Sequence, residues 1–130
     1  LGQLALHVAA IPGSICQMAT LDTLDATTVD FTPAQPESVD AILDAFTASE
    51  AAFSHYLSAM DDATASSAWT LTAGAQPLFT LPRTALLRTF ALNHLYHHRG
   101  QLLVYLRLLD VPVPVVYGRT YDENPFAQSF

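Results

Sequence analysis

The sequence predicts an all-α fold: a small four-helix bundle of which the first helix is lost upstream, with a short β-hairpin or flap before the last helix. Three observations predict it. Apolar residues recur at steps of three and four in three separate segments. One short stretch alternates instead. Turn and cap formers fill the gaps between them. At 130 residues the chain is long enough for one hydrophobic core, and no internal repeat divides it, so residues 1–130 read as a single domain.

Segment one runs from Leu1 to about Leu24, with Leu1, Leu4, Val8, Ile11, Ile15 and Met18 as its stripe. His7 lies on the edge of that stripe. Pro12 lacks an N–H and its ring crowds the preceding turn, which predicts a kink there. No capping residue precedes Leu1, which suggests a helix upstream. Asp25 to Pro36 is a connector of turn formers. Segment two begins at Pro36-Glu37-Ser38, with proline and acid in the first turn, and runs to about Met60. Ser49 is the one polar interruption of its stripe. Trp69-Thr70-Leu71-Thr72 and Leu78-Phe79-Thr80-Leu81 alternate around Gly74 and give the hairpin. Segment three runs from Pro82 to about Asp110. Leu87, Phe90, His94, His98, Gln101, Tyr105 and Leu108 step along it by threes and fours, the spacing of an interior seam. The tail, Val111 to Phe130, holds three prolines and reads as an extended wrap.

Composition narrows the function. Apolar residues make up 51% of the chain and charged ones 13%, about half the usual fraction for soluble proteins. A surface so poor in charge points to cover by a second subunit, so a homodimer is expected. Net charge is −7, with five Arg and no Lys. That field repels phosphate and argues against nucleic acid and anionic membranes as partners. No apolar run reaches transmembrane length and no secretory signal is seen. The lone Cys16 rules out an internal disulfide. The plain expectation is a cytoplasmic protein.

The most informative run is Asn93-His94-Leu95-Tyr96-His97-His98-Arg99-Gly100-Gln101. Residues four apart share a helix face, so His94 and His98 aim two imidazoles at one point. Both lie on the seam, where an unpaired imidazole costs free energy. The competing reading is a surface cluster, or a buried ring satisfied by a backbone carbonyl. His7, on the apolar edge of another helix, is the natural third ligand. Three imidazoles around a divalent ion leave positions for water or substrate, the open arrangement of catalytic sites. Imidazole suits Zn, Ni, Cu or Fe, with Zn or Ni expected. His97 points about 100° away from His98 and takes a supporting or surface role. His55 reads as core or surface.

Several of these blocks resemble the DinB-like (DNA-damage-inducible, YfiT-like) proteins. Leu1-Gly2-Gln3-Leu4-Ala5-Leu6-His7-Val8-Ala9 followed by Ile11-Pro12-Gly13 is similar to the start of the family's second helix. The run Asn93 to Leu102 is similar to its last-helix signature, and Tyr105-Leu106-Arg107, Val111-Pro112-Val113-Pro114 and Tyr117-Gly118 continue it. Trp69 and Pro82-Arg83 fit the preceding segment. The resemblance implies a four-helix bundle, usually dimeric, that holds a metal with His7, His94 and His98, and a helix ahead of the His7 segment. It also implies an enzyme in which the metal lowers the pKa of a thiol or water and presents the anion as nucleophile, as in relatives that use low-molecular-weight thiols such as bacillithiol or mycothiol. A thiol-dependent S-transferase or a hydrolase is the expected type; the rival is a non-enzymatic metal-binding or sensing helical homodimer. The chain departs from the pattern after Gly118, where Arg119-Thr120-Tyr121 stand in place of the family's Pro-Ser before Asp122-Glu123.

Two helpers carry weaker signals. Arg99 can clamp a substrate carboxylate, or pair with a surface acid or a second subunit. Gln101, one turn past the ligands, can bond metal-bound water or a ligand's second nitrogen, or be a structural amide. Tyr96 and Tyr105 read as core or interface aromatics. Cys16, among apolar neighbours, reads as a buried inert thiol. No carboxylate is placed by spacing as a base, since the facing of Asp44 and Glu50 is undetermined.

Overall fold

In the computed structural model, residues 1–126 are described. The order is α1 (Gly2–Ala19), β1 (Thr23–Asp25), a 3-10 turn (Ala26–Thr28), α2 (Val39–Ala59), α3 (Asp62–Ser66), β2 (Ala68–Ala73), β3 (Gln76–Pro82) and α4 (Arg83–Leu86). A π-helical stretch (Leu87–Asn93) then carries α4 directly into α5 (His94–Leu108).

The fold is therefore mixed, not all-α. The hairpin is present, with β2 antiparallel to β3 and Trp69 opposite Leu81, and a bulge falls between Leu71 and Thr72. Against its other edge lies β1, parallel to β2, so the sheet has three strands in the order β1-β2-β3. The sequence reading extended segment one to Leu24 because Leu21 and Leu24 continue its spacing. The helix instead ends at Ala19. Asp25 then accepts from the Gly74 amide at 2.9 Å and from the amide and hydroxyl of Thr27, which ties β1 to the hairpin turn. Gly74 sits at φ +59°, the left-handed region that a tight turn needs. Nor is a lost first helix needed to make up the number: four helical units lie within the described residues, α1, which carries His7, α2, α3 and the continuous run from Arg83 to Leu108.

α1 is the organising element, packed against both α2 and α5. It crosses α2 where Gly13 meets Ser49. The Gly13 amide donates to Ser49 Oγ at 2.8 Å. A Cβ on Gly13 would stand 2.8 Å from the Ser49 Cα. This close approach explains the polar interruption of segment two, since Ser49 is both small and an acceptor. Pro12 lies inside the unbroken helix. α2 begins at Val39, slightly later than read, so Pro36 and Glu37 precede it; Ser38 is its N-cap, with Oγ accepting from the Ala41 amide, and Asp40 is the first-turn acid.

The C-terminal end of α1 is clasped from three sides. Trp69 Nε1 donates to the Met18 carbonyl at 3.1 Å, and Tyr56 Oη donates to the Ala19 carbonyl at 3.1 Å. Buried Arg83 uses all five N–H donors. Nε reaches the Ala19 carbonyl, one terminal nitrogen reaches Ser67 Oγ and the Ala68 carbonyl, and the other reaches the Leu21 carbonyl and Asp22 Oδ1. These donors satisfy carbonyls that a helix end leaves open. Around them lies the core of Cys16, Ala19, Trp69, Leu86 and Leu87, with Phe79 stacked on Phe90.

The seam of segment three is only half interior. Leu87 is buried and Phe90, His94 and His98 are half-buried, but Gln101, Tyr105 and Leu108 are exposed. Cys16 and Ala19 of α1 pack with Leu86 and Leu87, while His7 meets His94 and His98, so α1 and the last helix run in opposite directions. The last turns of α5 reach past the start of α1 and lose its cover. The tail to Phe126 has no helix or strand, as read. It is pinned by Val113 N–H to Asp122 and Val115 N–H to Glu123. Its last four residues, 127–130, lie outside the described residues.

Candidate metal centre

His7 sits on the outward edge of α1, two turns before the crossing at Gly13. His94 and His98 start α5 and face α1 one turn apart. The three ring centroids form a triangle with sides of 5.0, 4.6 and 4.6 Å, every pair edge to face. One ligand atom from each lies within 4.8 Å of the others, and the group holds no carboxylate or thiol. His7 Nε2 stands 3.3 Å from His94 Nε2. Nitrogens bound to one ion at about 2.0–2.1 Å stand about 2.8–3.4 Å apart for bond angles between square and tetrahedral. The His7–His94 spacing fits a shared cation, and the set as a whole, within 4.8 Å, can close onto one.

The second nitrogens are spoken for. His98 Nδ1 lies 2.7 Å from Gln101 Oε1, and Gln101 Nε2 lies 3.2 Å from His97 Nε2. An amide oxygen only accepts, so His98 carries its proton on Nδ1 and keeps the Nε2 lone pair free. The amide nitrogen then donates to His97 Nε2. Gln101 thus sets the tautomer of one ligand and ties down the neighbouring histidine, the carbonyl-type support that metal-bound imidazoles favour.

Two of the rings are also biased toward the neutral form. Burial pushes His7 below the ordinary histidine value, and the imidazoles of His98 and His94 add to the effect. Burial does the same for His94, with His98 and His97 adding to it and the Phe90 carbonyl opposing. Neutral rings are the form that binds metal.

Beside the cluster runs a trough of about 990 Å³, bounded by α1, the loop of residues 29–34 and α5. His7 and His98 both line it, so the centre is open on one side. The sequence reading missed this loop as a wall. The one signal was Phe31 among turn formers, now 69% exposed at the trough's rim. The loop is held by Gln3 Nε2 donating to the Pro33 carbonyl and by an Asp30–Thr32 turn.

The other predicted residues fall elsewhere. Arg99 donates to Tyr117 Oη at 2.6 Å and lies over the rings of Tyr96 and Tyr117, so it pairs with aromatics and not with an acid. His97 is exposed beside the cluster, and His55, Asp44 and Glu50 are exposed on α2. Cys16 is buried in the core, its thiol pushed up to about 11.

A helical domain with a small sheet and an open three-histidine centre between its first and last helices defines a class of candidate metal-binding proteins. Residues 1–127 match the model of the DinB family, and the chain belongs to that family. No curated protein and no solved structure matches it. No helix among the described residues is long and apolar enough to cross a membrane.

Proposed function

We propose that the chain is a metal-dependent enzyme in which His7, His94 and His98 hold one divalent transition ion, Zn or Ni, and that it acts as a thiol-dependent S-transferase or a hydrolase. The observation that carries this reading is the triangle of three imidazoles opening sideways into a trough. A bound ion would lower the pKa of a thiol or water in its free position. The chain's own residues do the rest. Gln101 fixes the ring of His98, burial keeps His7 and His94 unprotonated, and the trough positions the rest of a substrate. A structural site would instead close on four protein ligands, and among the described residues no fourth belongs to this cluster.

The test is elemental analysis of the purified protein after loading with Zn or Ni. One ion per chain is expected, with a lower metal content in His98→Ala. No stoichiometric metal in the wild type overturns the reading.

A homodimer is part of the same proposal. Val39, Leu43 and Phe46 form an exposed apolar stripe on α2, and Val104, Tyr105 and Leu108 form another on α5. Such surface favours a covering subunit. Mass in solution at micromolar concentration checks it, and a clean monomer contradicts it. If the protein dimerises and binds metal but turns over no thiol or hydrolytic substrate, the non-enzymatic metal-sensing reading replaces the enzymatic one.

A further inference from the structure

The trough has a chemistry of its own. Its floor is one stripe of α1 from Gln3 through Ala10 to Met18, about 22 Å of helix. Val29 and Phe31 line one wall, and His98 to Tyr105 of α5 form the other. No arginine lines it, and the chain has no lysine. Arg83 is committed to carbonyls at the far end of α1, and Arg99 to tyrosines. Apart from His7 and His98 of the metal centre, the one acidic or basic side chain along the trough is Asp30, held ionised by the hydroxyl and amide of Thr32.

We propose that the trough takes an elongated, uncharged, mostly apolar molecule whose polar head reaches the three histidines, and that it rejects ligands carrying a second anionic group. An alkyl chain along Ala10, Val29 and Met18 leaves water for an apolar lining. A carboxylate or phosphate in the same place loses water with no cation to receive it, next to Asp30 and within the field of a net charge of −7. The head of this proposal rests on the metal reading above; the tail does not.

Calorimetry on the zinc-loaded full chain tests both parts, using three probes with one metal-seeking head. These are acetohydroxamate, octanohydroxamate and the eight-carbon hydroxamate that ends in a carboxylate. Each methylene covered by the trough strengthens binding about threefold, so the octano compound binds at least about thirtyfold tighter than the acetyl one. The carboxylate compound binds at least about tenfold more weakly than the octano compound, and Asp30→Asn narrows that gap. Ser14→Trp, at an exposed floor position, weakens the octano compound and leaves acetohydroxamate unchanged. Equal affinity for the short and long probes, or for the neutral and carboxylate ones, overturns the proposal.

If the protein retains no zinc, the metal reading fails by itself. Octan-1-ol then probes the trough in the metal-free protein. Binding that Ser14→Trp abolishes supports the proposal, and no binding overturns it.

Discussion

The two ends of α1 do opposite work. At the C-terminal end, Ala19 has no exposed surface, and three side chains from three other elements close its last carbonyls. At the N-terminal half, His7 is exposed, its ring partners are half-buried, and a trough runs along the helix. The difference shows how one helix serves both stability and chemistry. The closed end anchors α1 against the sheet and the last helix. The open end can then hold three imidazoles near one another without itself being a well-packed core.

Breaking the closed end has the largest effect. Arg83→Ala removes the side-chain donors to the Leu21 and Ala68 carbonyls and leaves Ala19 only its bond from Tyr56 Oη, and the cost is about 3–5 kcal/mol by urea denaturation. Asp22→Ala removes only the ion pair of that network, where the acid's side chain is 91% exposed, and costs less than about 1 kcal/mol. A similar loss from both variants would mean that the ion pair, and not the carbonyl clasp, secures the helix end.

Between the two ends lies the α1–α2 crossing. Gly13→Ala forces a Cβ to within 2.8 Å of the Ser49 Cα and costs about 1–3 kcal/mol in the same assay. An unchanged midpoint would show that the helices can part there freely.

At the open end the effects fall on metal and protons more than on folding. Gln101→Ala frees the His98 ring and lowers zinc affinity about tenfold or more by competition titration, with melting of the metal-free protein nearly unchanged. An unaltered affinity would leave Gln101 as a mere surface amide. The smallest effect is the pH response of the metal-free protein. His7 and His94 titrate below the ordinary 6.5 in the folded state, so below that pH the unfolded chain binds more protons. Their contribution is complete above 6.5 and is lost as pH falls through the lowered folded values. The melting temperature therefore drops on mild acidification, and drops less in His7→Ala. A rise on acidification contradicts the neutral cluster.

The same division marks what the sequence made legible. The four-residue step from His94 to His98 is local, so helix geometry alone placed both rings on one face, and the apolar edge of segment one placed His7 opposite. The hairpin was legible from its alternation. β1 was not, because its three residues become a strand only by pairing with the distant β2, a pairing that the Asp25–Gly74 bond reinforces, while Leu21 and Leu24 mimic a continuing helix. The loop wall was hidden for the same reason, since residues 29–34 have no periodicity and are placed by Gln3. Tyr105 and Leu108 kept the spacing of a seam beyond the point where α1 covers it. Spacing tells which residues share a face, and only packing tells whether that face is covered.

The central claim is that His7, His94 and His98 share one ion. Zinc-edge X-ray absorption on the loaded protein counts bound imidazoles directly. The account predicts three imidazole nitrogens at about 2.0–2.1 Å in the wild type and two in His7→Ala. An imidazole count that His7→Ala leaves unchanged would place the ion elsewhere and contradict it.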